Sequence, residues 1–105
     1  MPKGSTVRPQ KWTNVKDLFD DGKYSAIWGT YEGRRRRCLG VRWSWSGGTG
    51  LGYPSRGAYP LWYVEPAFVT EPILRALLAA VIQKHGEDHL YTRNLKIALK
   101  EFLTP

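Results

Sequence analysis

Residues 24–45 read YSAIWGTYEGRRRRCLGVRWSW, two segments rich in aromatic and β-branched residues joined by Glu32-Gly33 and four consecutive arginines. A glycine at the second position of a two-residue turn supplies the positive φ that tight hairpins need, so the stretch reads as a β-hairpin. With the turn at Glu32-Gly33, Tyr31 faces Arg34, and the ladder continues as Trp28 with Arg37, Ala26 with Leu39 and Tyr24 with Val41. Strand side chains alternate faces, which collects Tyr24, Ala26, Trp28, Leu39, Val41, Trp43 and Trp45 on one apolar side suited to a core. The opposite side is mixed and runs from Ser25 and Ile27 to Tyr31, Cys38, Arg34, Arg36 and Arg42. Arg35 and Arg37 fall on the core side, so about half of the arginine run remains for contacts on the open face.

Before the hairpin, residues 1–10 (MPKGSTVRPQ) read as a loose basic tail, and residues 11–105 as a single domain. Asn14 is placed to cap a short helix over Val15 to Asp20, with Asp17 near its positive end and Gly22 as its stop. After the hairpin, residues 44–59 hold glycines at 47, 48, 50, 52 and 57. Such a stretch is either a lid over an aromatic pocket or a flexible surface loop. Tyr59 precedes Pro60 and is pushed to extended backbone, leading into a strand over 61–65 that Pro66 ends.

Thr70, Pro72 and Gly86 mark the cap, first turn and stop of a helix over 71–85, whose segment from Ile73 to Ile82 carries one charge, Arg75. A helix this apolar is covered on more than one side. The expectation is that it packs on the apolar face of the hairpin, its other side meeting the last helix or a second subunit in a homodimer. Ten residues at 1.5 Å each reach about half of a ~30 Å hydrocarbon core, so no membrane span is expected. The last helix, over 92–103, lines one face with Leu95, Ala98, Leu99, Phe102 and Leu103. The fold class is α+β: a small antiparallel sheet (hairpin 24–45 plus strand 61–65) packed against helices 71–85 and 92–103.

Composition narrows the function. A chain of 105 residues buries roughly 65% of its unfolded surface, enough for one core without staples. Its formal charge of +7 is uneven: residues 1–56 hold 11 Lys/Arg against 4 Asp/Glu, and residues 57–105 hold 5 of each. A basic half favours an anionic partner such as nucleic acid. One cysteine, Cys38, forms no intramolecular disulfide, and residues 1–20 lack the apolar core of a secretory leader, so a cytoplasmic setting is expected.

Four patterns bear on chemistry. In the arginine run, guanidinium groups fit phosphates while nearby Tyr and Trp faces fit bases, although a solvated strand end has the same composition. The glycine cluster 47–52 lacks G-x-G-x-x-G and a following Lys-Ser/Thr, which excludes a phosphate cradle of that kind. His85 and His89 are four apart, but Gly86 interrupts the helix and no third ligand follows, so no metal site is assigned. Glu65 follows an aromatic strand and could anchor a cation, yet no second carboxylate forms a pair with it.

At YSAIWGTYE, LGVRW, GYPSRG and PLWYVEP the sequence resembles small uncharacterised bacterial proteins, some carried as gene cassettes in integrons and other mobile arrays. The resemblance covers about residues 12–82. It implies a bacterial, cytoplasmic, dispensable or adaptive role, leaves the ligand open and transfers no functional residues.

The leading expectation is a non-catalytic binding module without a cofactor. An anionic or nucleic-acid partner would use Arg34, Arg36, Arg42 and Arg56, whereas a small aromatic or cationic ligand would use Trp43, Trp45, Tyr53, Tyr59, Trp62 and Glu65. A homo-oligomeric interaction protein built on helix 71–85 is the alternative from another class, and an enzyme without a recognisable motif is third.

Overall fold

The computed structural model describes residues 11–43 and 62–104 in full, and the backbone alone of 55–56 and 59–60. The tail 1–10, Trp45 and Tyr53 lie outside the described residues. The elements are β1 (Trp12–Asp20), β2 (Tyr24–Tyr31), β3 (Cys38–Trp43), β4 (Ser55–Arg56), β5 (Tyr59–Pro60), β6 (Tyr63–Val64), α1 (Ala67–His85) and α2 (Leu90–Leu103). Strands β1-β2-β3-β6 form an antiparallel sheet in that order, and β4 pairs with β5 apart from it. This is an α+β fold with a four-stranded sheet and two C-terminal helices.

The segment read as a helix over Val15 to Asp20 is the edge strand β1. Its pairing with β2 shifts by one residue between Thr13 and Lys16 and again between Asp17 and Phe19. Each shift is a bulge, and Asn14 sits in the first with φ 53°, a left-handed conformation that asparagine tolerates better than most residues. Its value to the fold is therefore a strand irregularity, and the cap it offers a helix is not used. The second bulge lets Leu18 and Phe19 both reach the helix-side core.

The Glu32-Gly33 turn forms as read, with φ of 49° and 73° and Arg34 N–H donating to Tyr31 O at 3.0 Å. The ladder beyond it differs. Cys38 pairs with Gly29, Leu39 with Trp28, Val41 with Ala26 and Trp43 with Tyr24, an offset of two residues from the expected register. Arg34 to Arg37 leave the sheet, and the turn is tied instead to the residue before β1, through Glu32 N–H on Lys11 O (2.8 Å) and a Lys11–Glu32 ion pair. Because the side-chain period is two, an even offset keeps every face.

Ala26, Trp28, Leu39 and Val41 accordingly share the helix side with Leu18, Leu74, Val81, Leu95, Ala98 and Leu99. The layer on that sheet face is chiefly α2, which packs on both β1 and α1. Helix α1 packs against α2 and touches β1, and its Leu74 and Val81 join the apolar face of the hairpin in the same core. It begins at Ala67, four residues before the expected start, and Thr70 donates its hydroxyl to Pro66 O at 2.9 Å inside the first turn.

The opposite face of the sheet is also covered. Trp12, Ile27 and Trp62 form a second buried cluster with Val15, Tyr31, Cys38 and Val64 packed around it. Gly40 makes room for it: a Cβ there would stand 2.7 Å from Cη2 of Trp12. The indole lies flat on the sheet because the residue beneath has no side chain.

Candidate functional site

The arginine loop sits where three parts of the fold meet: the hairpin end, the C-terminal end of α2 and the first turn of α1. Two open grooves flank it, of about 670 and 560 Å³. Asn14, Thr30, Arg35 and Lys100 line one; Arg34, Tyr63, Glu65 and Ala67 line the other; Trp28, Arg36 and Arg37 border both.

Two of the four arginines are fixed by α2. Arg37 pairs with the Glu101 carboxylate at 3.0 Å, and the same carboxylate accepts from the Trp28 indole N–H at 2.8 Å. Arg36 donates to the carbonyls of Glu101 and Thr104, the latter at 2.5 Å, and so supplies donors to a helix C-terminus whose last carbonyls have no partner within the helix. These contacts explain why the loop leaves the ladder: guanidinium groups held 64 to 68 residues away along the chain cannot also stay in strand register.

The other two are open. Arg34 is exposed with its guanidinium carbon 5.5 Å from the Tyr31 ring centre, and Arg35 and Lys100 are exposed with no carboxylate partner among the described residues. Along the two grooves stand five cations, Arg34 to Arg37 and Lys100, against two carboxylates, Glu65 and Glu101. The site is net cationic, with its free charge on Arg34, Arg35 and Lys100. Cys38 borders the second groove, and burial raises its thiol above the ordinary range against the opposing pull of Arg34 and a backbone N–H, which disfavours a nucleophilic thiolate.

Among the described residues, Arg42, Trp43, Trp62 and Glu65, singled out in the sequence, do not converge with the free arginines into one site. Arg42, read as part of an open basic face, is 1% exposed on the covered side of β3, its guanidinium 6.0 Å from the Trp62 ring centre. Burial lowers its pKa, and the site gains no surface charge from it. Trp62 is itself 5% exposed within the Trp12 cluster. Trp43 is on the helix side, half-exposed and edge-on to Tyr24 at 4.9 Å between ring centres. A single pocket containing both Trp43 and Trp62 does not form, because the sheet lies between them.

Glu65 extends the β6 edge, its N–H donating to Leu39 O at 2.9 Å. Its carboxylate acts on Tyr24, whose hydroxyl is pushed up to about 12 by burial first and by Glu65 second. Arg56 and Tyr59 lie in the β4–β5 hairpin, described by backbone alone.

His85 and His89 stack at 4.2 Å, but His89 Nδ1 accepts the Tyr91 N–H at 3.1 Å and caps α2. Among the described residues no three His, Cys, Asp or Glu converge as metal ligands, and no helix is long and apolar enough to cross a membrane.

Sequence reasoning gave Asn14, Thr30, Tyr63, Lys100 and Glu101 no part in a binding site. A weak signal existed for the last two, a cation and a carboxylate ending an amphipathic helix, but nothing local ties them to residues 36 and 37. Comparison with protein-family models, with curated proteins and with solved structures finds no match, so the functional reading rests on this geometry.

Proposed function

We propose that the chain is a small non-catalytic binding module that takes an anionic, phosphate-bearing partner on its arginine loop. The observation that carries this reading is a loop held outside the ladder between two grooves, with Arg34, Arg35 and Lys100 exposed and free of carboxylate partners among the described residues. Arginine forks match phosphate geometry, and two of the four are already oriented by α2, which lowers the ordering cost of binding. The uneven charge of the chain adds long-range attraction. A reducing, cytoplasmic setting in a bacterium belongs to the same proposal, supported by the unpaired Cys38 and by the resemblance to cassette-borne proteins.

The test is binding to immobilised heparin or polyphosphate across a salt series, comparing the protein with R34A/R35A/K100A. Retention at unchanged salt in the triple variant would sink the reading. Arg36 and Arg42 are unsuitable for this purpose, since the first closes a helix end and the second is buried.

A second reading is self-association through α1. Phe68 is 82% exposed, and Pro72, Ala76, Ala79 and Ala80 continue an exposed apolar face along the same helix. Light scattering decides it: a dimer that survives high salt supports it, and a monomer at high protein concentration removes it.

A further inference from the structure

We infer that the anion taken by this loop is a single strand of nucleic acid that crosses the arginine loop, its phosphates following the two grooves and a base stacking on Tyr63. The inference rests on the anion-binding reading above and adds to it the identity of the partner. Three observations carry it.

The cationic surface is divided. Arg35 and Lys100 lie on one side of the loop and Arg34 on the other, with Arg36 and Arg37 between them. A compact anion fills one groove; a chain of phosphodiesters is the ligand that presents charge to both. Four residues span at most about 14 Å, which at ~3.4 Å or more per nucleotide matches no more than about four phosphates.

Aromatic surface stands beside the charge. Tyr63 is 50% exposed on β6, an edge strand among the described residues, and lines the same groove as Arg34. An exposed ring next to an arginine offers a base a face to stack on, which an acidic peptide or inorganic phosphate does not use. Tyr31 under Arg34 holds that guanidinium at the groove mouth.

The surface is also short and indented. A duplex is read by a helix or a two-stranded ribbon laid in its major groove; here α1 and α2 meet the site only by their ends, and Arg34 to Arg37 lie outside the β2–β3 ladder, which stops at Gly29 and Cys38. A strand with unstacked bases fits a groove bordered by one ring; paired bases leave that ring unused.

The experiment is fluorescence anisotropy with labelled oligothymidylate of about a dozen nucleotides, within the ~4–16 nucleotide range of single-strand binding folds. The same length as duplex, and polyglutamate, serve as competitors. The single strand is expected to bind more tightly than either, with log affinity falling by about 2 to 3 per decade of salt. R34A/R35A/K100A should reduce that slope by about 2. Tyr63→Leu, which keeps the apolar body of the side chain, should weaken binding roughly fivefold to a hundredfold, and Tyr63→Phe should restore it.

Duplex binding as tight as single strand, or Tyr63→Leu binding like the original protein, overturns the inference. Heparin retention without oligothymidylate binding overturns it and leaves the anion reading standing; loss of both removes the two together.

Discussion

Helix α2 is closed differently at its two ends. Its N-terminus is finished by neighbours in sequence: His89 Nδ1 accepts the Tyr91 N–H, and Thr92 donates its hydroxyl to Gly86 O at 2.7 Å. Its C-terminus has a local cap in Thr104, whose hydroxyl donates to Lys100 O at 2.6 Å, and is closed further by the hairpin loop, through Arg36 on two carbonyls and Glu101 on Trp28 and Arg37. The first end is capped by sequence neighbours and touches β1 through Asn94 on Asp17 O and Tyr91 on Phe19, whereas the second end also fixes the arginine loop. Stability and function are therefore expected to separate at the first and to move together at the second.

The largest effect expected is at Glu101. Glu101→Ala leaves the Trp28 indole N–H, on a residue 1% exposed, without an acceptor and removes the partner of Arg37. Stranding a buried donor costs about 2 kcal/mol, read by urea denaturation, and anion affinity should change as the loop loosens. Glu101→Gln keeps an oxygen for the indole and removes only a part-exposed ion pair, so it should cost well under about 1 kcal/mol. That variant also deletes one of two carboxylates along the grooves, and heparin should be retained to higher salt. Equal destabilisation by the two substitutions would show that the indole bond does not matter.

Arg36→Ala follows at about 1 kcal/mol, from two lost hydrogen bonds to helix carbonyls at an exposed position. Its distinguishing sign is faster amide exchange over the last turn of α2 together with a weaker affinity for anions. At the other end, His89→Ala should also cost about 1 kcal/mol through loss of the cap, with anion binding unchanged. His89→Asn supplies a side-chain acceptor in the same place and should restore most of that stability. If His89→Ala weakened anion binding as much as Arg36→Ala does, the separation of the two ends would fail.

The same contrast accounts for what was legible beforehand. The apolar faces of the hairpin and of α2 were readable because period-two and period-3.6 patterns survive an even register offset. Local signals failed where a distant partner decided. Asn14 reads as a cap in isolation, and only the β2 strand opposite makes it a bulge residue. Arg34 to Arg37 read as a strand continuing past a tight turn, and only α2, some 64 residues on, draws two of them away. Arg42 reads as exposed because the hairpin alone does not reveal that Trp12 and Trp62 cover its face. Nothing within ten residues of Glu101 points to Trp28, so the pairing that closes the site has no sequence signature.

The two ends should also answer differently to acid. The His89 side chain caps this end through Nδ1, and the His85 ring is stacked against it at 4.2 Å. Partial desolvation, then the charges of His89 and Lys84, lower the pKa of His85 in the folded protein. A depressed folded pKa means that the unfolded chain takes up the proton first as pH falls past about 6.5. The stability linked to His85 is therefore present above that pH and lost progressively below it. Thermal denaturation followed by circular dichroism at stepped pH should show a midpoint that falls between about pH 7 and 5, and less so in His85→Gln. The Arg36 and Arg37 contacts at the other end involve no imidazole, so amide protection should fade at the start of α2 before it fades at the end. A pH profile unchanged by His85→Gln, or fraying that begins at Glu101, would place the acid-sensitive step at the end shared with the arginine loop.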